Sequence, residues 1–388
     1  VVRFSQFGTF FRAVRAAQMH HADAIVAEWA LRALRCFLTL RSNQAKLVAA
    51  GLCEIAAVLL DEHCEGNNKS LIECILRIIC NYSDREVQDR FSTVGICETI
   101  SYKLLAGHNL QSITVNEAVW TLRAVGAISQ NNDRNKQTFA GFNIFQKMQH
   151  LVTIFGIENA VLASAYLHCI GSIAWPNKAN QALLTQEGVI EVAIRVLHQH
   201  MLNANVVEEA MRAIRAIGKN SPQNLELLFD TGVCEMVMVC MQKELDVPKE
   251  SRHVLVLQWG WCVVAALSEH AGCLSMLYRL GVCNIAMLSL KESKNGANVA
   301  QFTLNALGFL CCSEEISRSI SMEDIIVLSD AFEHHQACES CVEEWLYAIG
   351  SLCALPACKN RQSVQLTNIP SHIVVAMKLY NDRGLVSE

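Results

Sequence analysis

Arginine carries the most evident chemistry in this chain. Arg32 and Arg35 stand three apart in an apolar stretch, and Arg212 and Arg215 repeat that spacing. Arg77 and Arg123 occupy equivalent places in the units between them, and Arg12 and Arg15 repeat the spacing in the first helix. Residues three apart on a helix are neighbours on one face. A guanidinium presents a planar fork that matches a carboxylate or a phosphate. In a chain of net charge −5, such a cluster points to a local basic surface suited to an acidic or phosphorylated segment. A second reading stays open: the same arginines would bridge to Glu117, Glu208, Glu209 or Asp89 of adjacent segments and fill space with their stems.

Other chemistries find less support. His335, Cys338 and Cys341 follow an H-x2-C-x2-C spacing, with Cys353 and Cys358 downstream. A structural zinc wants four ligands in paired knuckles, and the second pair does not supply a matching one. Buried thiols are expected there instead. His20–His21 and His334–His335 are adjacent pairs, which point different ways on a helix and chelate poorly. Cys64 beside His63 lacks an orienting third group and an oxyanion glycine motif. No P-loop, G-x-G-x-x-G, HExxH or G-x-S-x-G motif occurs. The expectation is a non-enzymatic protein with no catalytic, metal or cofactor residues.

The elements that must position the arginines are written repeatedly. EAVWTLRAVGAIS spans Glu117–Ser129, and variants of it begin at Ala30, Ile75, Ala165, Ala210, Leu257, Phe302 and Glu344. One helix thus appears eight times. A glycine marks most units: Gly8, Gly51, Gly95, Gly141, Gly188, Gly232 and Gly281, at intervals of 43, 44, 46, 47, 44 and 49. Asn368 falls 87 past the last, with a missing mark near Met322–Glu323. Glycine suits a sharp turn between helices because it tolerates left-handed angles. Asn43, Asn180, Asn224 and Asn360 each stand eight residues before a mark and are expected as N-caps of a short first helix. Leu47, Leu184, Leu228 and Val364, four residues on, are its core contacts. After the mark comes an apolar second helix, such as Gly51–Leu60, and then the recurring third. Pro176, Pro222 and Pro356 stop the third helix in three units. Gly126, Gly171, Gly218, Gly308 and Gly350 share one place in it and imply close helix approach.

Composition agrees. The 388 residues are 52% hydrophobic and 18% charged, with 5 prolines and no sustained alternation, which argues for helices nearly throughout. A core this long is better extended along a repeat axis than gathered around one centre. The period of about 40–47 belongs to helical arrays. The 18 scattered cysteines suit a reducing, cytoplasmic setting better than a disulfide scaffold. The longest nearly unbroken apolar run, Val254–Leu267, is short of a bilayer span. Net charge gives no reason to expect nucleic acid.

These marks resemble the armadillo repeat family over essentially the whole chain. The resemblance implies an all-α right-handed superhelix of three-helix repeats, a single solenoid over 1–388 that begins and ends mid-repeat, with partial repeats at 1–22 and 356–388. It also implies a concave groove, lined by third helices, that holds an extended protein segment. Import-adaptor armadillo proteins carry a Trp and, four residues on, an Asn in these helices. Carried over, the Trp place holds Arg32, Arg77, Trp120, Ala165, Arg212, Trp259, Phe302 and Glu344. The Asn place holds Cys36, Asn81, Ala124, Cys169, Ala216, Val263, Ala306 and Ala348. No unit has both, which argues against a nuclear import adaptor. The expected groove residues are Arg32, Arg35, Arg77, Asn81, Trp120, Arg123, His168, Arg212, Arg215, Trp259 and Phe302. For Trp120, Trp259 and Phe302 core packing is the competing reading. Two further expectations are a regulatory part of a larger kinase, ligase or cytoskeletal protein, and self-association into a homo-oligomer.

Overall fold

The structure, a computed structural model, describes residues 8–38, 40–66, 68–82, 84–105, 112–293, 296–354 and 360–380. Among these residues there are helices and no strand. Packing divides the chain between Gln199 and His200 into two units.

The helices come in threes. In the first unit, Arg41–Ala49, Leu52–His63 and Lys69–Ile79 form one repeat, and Asp133–Gly141, Ile144–Phe155 and Ala160–Ala174 another. In the second, Pro222–Asp230, Val233–Asp246 and Val254–Leu267 do the same. Third helices stack directly on one another. In the first unit Ala24–Phe37 packs on Lys69–Ile79, which packs on Val115–Ser129, which packs on Ala160–Ala174. In the second unit Ala204–Gly218, Val254–Leu267, Ala297–Leu310 and Glu339–Ala354 form an equivalent row. The stacking follows from an apolar stripe. The fourth and eleventh residues of every third helix are buried, for example Ala118 and Val125, or Val207 and Ile214. No helix among the described residues is long and apolar enough to cross a membrane.

The glycine marks are turns. Gly51 has φ +94° and N-caps Leu52–His63, and Gly232 at φ +72° does the same for Val233–Asp246. A side chain strains that left-handed backbone, and a Cβ on Gly51 would also lie 3.2 Å from Gln18 Nε2. Gly51→Ala is therefore expected to cost about 1–2 kcal/mol, read by urea unfolding. An unchanged midpoint would mean that the turn relaxes out of this geometry.

One mark is corrected. Gly141 lies inside the helix Asp133–Gly141, and the left-handed residue of that unit is Asn143, at φ 55°. Asparagine visits this region more readily than other residues with a Cβ, which is why a glycine is dispensable there.

The asparagine mark is also corrected. Asn43, Asn180 and Asn224 are not N-caps. Each is the third residue of its helix and is buried. Their amides reach back to the preceding third helix: Asn43 donates to Phe37 O at 3.0 Å, Asn180 to Ile173 O at 3.3 Å and Asn224 to Ile217 O at 3.0 Å. Asn135 does the same to Ile128 O at 3.1 Å. The terminal carbonyls of a helix lack partners within it, so a buried amide is a natural satisfier. The caps of the first helices are residues such as Asn132 and Asn177. The side chain of Asn360 is outside the described residues. Leu47, Leu184, Leu228 and Val364 are buried, as core contacts should be. Pro222 is the first residue of the next helix, where its missing N–H costs nothing, and Pro356 is outside the described residues.

Candidate functional site

The helix bounds set the register of the third helices. Counted from the first residue, the sixth places of the first unit are Trp29, Cys74, Trp120 and Ala165, and the ninth are Arg32, Arg77, Arg123 and His168. In the second unit the sixth places are Glu209, Trp259, Phe302 and Glu344, and the ninth are Arg212, Cys262, Asn305 and Tyr347. This corrects the alignment read from the sequence. Arg32, Arg77 and Arg212 do not share the place of Trp120 but lie one helical turn further on. Their true equivalent is Arg123.

In the first unit the ninth places form a basic row held by aromatic faces. The Arg32 guanidinium lies 5.1 Å from the Trp29 ring centroid on its own helix. Trp120 takes two guanidiniums, that of Arg77 from the preceding third helix at 4.5 Å and that of Arg123 from its own helix at 4.9 Å. Such contacts contribute about 0.5–1 kcal/mol each at exposed sites. Their larger effect is to fix where long, flexible side chains sit. The row ends at His168, which packs where Gly126 has no side chain: a Cβ there would come within 2.9 Å of the imidazole. This is the close approach expected of that glycine, and Gly308 makes the same room for Tyr347. Gly350 faces open space instead.

Carboxylates hold part of the row. Arg32 pairs with Glu28 and Arg77 with Glu73, each four residues back on its own helix. Arg32 also donates to Ser70 Oγ at 3.0 Å, and Ser70 donates to Glu28 at 2.6 Å. Among the described residues no carboxylate lies within ion-pair distance of Arg35 or Arg123. Of the carboxylates read as alternative partners, Glu209 pairs with Arg212 at 3.3 Å. Glu117 meets Lys69 at 3.3 Å, Asp89 accepts from Asn132 at 2.8 Å, and Glu208 lies 3.8 Å from His253.

Between Ala24–Phe37 and Lys69–Ile79 these side chains enclose a recess of about 250 Å³, lined by Arg32, Arg35, Ser70, Glu73, Cys74 and Arg77. Burial pushes the Cys74 thiol up to about 11, against the opposing pull of Arg35 and Arg32. It is a neutral wall, not a nucleophile. Burial likewise raises Cys80 to about 12, against Arg123.

In the second unit Trp259 takes the guanidiniums of Arg212 at 5.2 Å and Arg215 at 5.9 Å, both from the preceding third helix. Beyond it the row loses its charge. Asn305 donates to Glu344 at 2.7 Å, and burial raises the Glu344 carboxyl despite that bond. Phe302 is half-buried at a sixth place. Asn81 falls outside the row. It lies past the end of Lys69–Ile79, exposed, and its amide donates to Arg77 O at 2.6 Å. Sequence reasoning missed Trp29, Ser70, Glu73 and Cys74. Counting from the residue before each helix, Asp23, Asn68, Thr114 and Asn159, would have placed Trp29 and Cys74 level with Trp120.

The cysteines fit no metal centre among the described residues. Cys341 Sγ donates to Ala297 O at 3.2 Å, and burial first, then Cys338, raises its thiol to about 12. Cys358 is outside the described residues.

The fold is an all-α solenoid of helical repeats. An engineered protein of known crystal structure aligns over 97% of this chain and 86% of its own, with a TM-score of 0.70 at 15% identity. A second engineered protein covers 67% of this chain and 97% of its own, with a TM-score of 0.55 at 16% identity. A designed armadillo repeat protein covers 65% and 98%, with a TM-score of 0.53 at 15% identity. At such identities the likeness shows the fold alone. No family model and no curated protein matches the chain.

Proposed function

We propose that this chain is a non-enzymatic, armadillo-type interaction scaffold, a single array that binds an extended acidic or phosphorylated protein segment along its third helices. One observation carries the reading. Consecutive stacked helices present Arg32, Arg77 and Arg123 at one register, with guanidiniums placed by Trp29 and Trp120. Packed helices lie about 8–10 Å apart, and an extended chain advances about 3.3 Å per residue. Successive rungs would thus meet about every third residue of a segment crossing them. The free thiols of the described residues suit a reducing, cytoplasmic setting.

The test uses fluorescent peptide pools of acidic, neutral and basic composition, titrated with the full chain at low and high salt. The acidic pool is expected to bind tightest and to weaken as salt rises, because exposed charges are screened. Equal binding of the three pools, or preference for the basic one, overturns the reading.

A further inference from the structure

We infer that the recess between Ala24–Phe37 and Lys69–Ile79 receives one phosphoryl group, carried on a serine or threonine of the bound segment. The inference rests on the reading above and adds to it the ligand's chemistry and its place.

Three guanidiniums from two neighbouring helices, those of Arg32, Arg35 and Arg77, converge on a cavity of about 250 Å³. That is roughly eight water volumes at about 30 Å³ each, room for a phosphoryl group and its stem. The wall is polar, with the Ser70 hydroxyl between the helices. Arg35 has no carboxylate partner among the described residues, and Arg77 Nε is a buried N–H with no acceptor. A carboxylate offers two oxygens and one charge, which a single fork satisfies. A phosphate monoester offers three terminal oxygens and about −1.5 to −2 charge at pH 7, which suits three forks.

The second unit supplies an internal comparison. Arg212 and Arg215 repeat the spacing of Arg32 and Arg35, but the ninth residue of the next third helix is Cys262, and Trp259 lies against both guanidiniums. The third fork is replaced there.

Glu28 and Glu73 shape the affinity in opposite ways. They hold Arg32 and Arg77 in place, yet Glu73 also lines the recess and competes for Arg77. Two carboxylates against three guanidiniums leave a net charge of one positive. A phosphoryl group must take Arg77 from Glu73 and sit beside its carboxylate. Removing that charge while keeping the shape should therefore strengthen phosphate binding.

The experiment compares two fluorescent pools with acidic flanks, one with a fixed central phosphoserine and one with serine, titrated with the full chain. Wild type is expected to favour the phosphorylated pool about tenfold, on the scale of one added charge-assisted hydrogen bond. Arg35→Gln should bring that ratio close to one, and Glu73→Gln should raise it several-fold. A gain of binding cannot come from misfolding, so Glu73→Gln guards against an unstable Arg35→Gln. A ratio of one in wild type, or a ratio that neither substitution moves, overturns the phosphate assignment. If the serine pool still binds in that case, the groove reading stands alone. If neither pool binds wild type, the groove reading fails and this inference falls with it.

Discussion

Replacing Arg77 and Arg123 together by glutamate is expected to weaken capture of an acidic peptide pool by about a hundredfold. Hydrogen bonds to charged groups are each worth about 1.5–3 kcal/mol, and tenfold in affinity is about 1.4 kcal/mol. Two lost rungs at the low end of that range give this figure. The low end is appropriate because both guanidiniums are half-buried rather than enclosed, and Arg77 already has Glu73 as a partner. The fold should survive. Both substitutions remove stacking on Trp120, and Arg77→Glu adds a like charge four residues from Glu73. Together these cost roughly 1–2 kcal/mol. The residual binding should also lose much of its salt dependence. Titration of the same pool into the Arg77→Lys, Arg123→Lys variant separates charge from shape, since lysine keeps the charge and loses the fork. An unchanged affinity in the glutamate variant would remove the row from any binding role.

Asn135→Leu is expected to destabilise the first unit by about 2–3 kcal/mol, although leucine is apolar and near in size. Asn135 is fully buried. Its amide donates to Ile128 O at 3.1 Å and to Gln88 O at 3.2 Å, so it ties its own helix to the end of Val115–Ser129 and to the helix Arg85–Thr93. In the variant Ile128 O, in the last turn of its helix, is left a buried orphan at about 1–3 kcal/mol, whereas Gln88 O keeps its intrahelical bond and loses a second donor worth about 0.5–1.5 kcal/mol. The loss is partly offset, because Asn135 Oδ1 has no partner and its removal relieves a buried acceptor. Urea denaturation followed by circular dichroism measures the effect. A midpoint equal to wild type would show that water replaces the amide and that the tie is dispensable.

The fate of the asparagines shows how far sequence alone reaches. Their eight-residue distance from the turn is visible in the sequence, and so is the apolar residue four places on. Their role is not, because an N-cap and a buried amide at the third position have the same composition and differ by three residues of register. The arginine row has the same history. A helix looks alike when slid by one turn, because residues three and four apart share a face. The repeated phrase therefore aligned Arg77 with Trp120, whereas the start of each helix aligns it with Arg123. Trp29 went unnoticed because its helix was read from Ala30.

By itself the sequence determined the class of fold. Its period, its turn residues and its apolar stripe each act within one repeat, and local patterns of that kind are legible without coordinates. Tertiary structure decided which side chains meet. Trp120 faces two arginines, His168 fills the space left by Gly126, and three guanidiniums surround one recess. Each of these pairs residues some 40 positions apart, or sets one helix at a definite height against its neighbour. That height follows from packing and caps acting together, and no single segment encodes it.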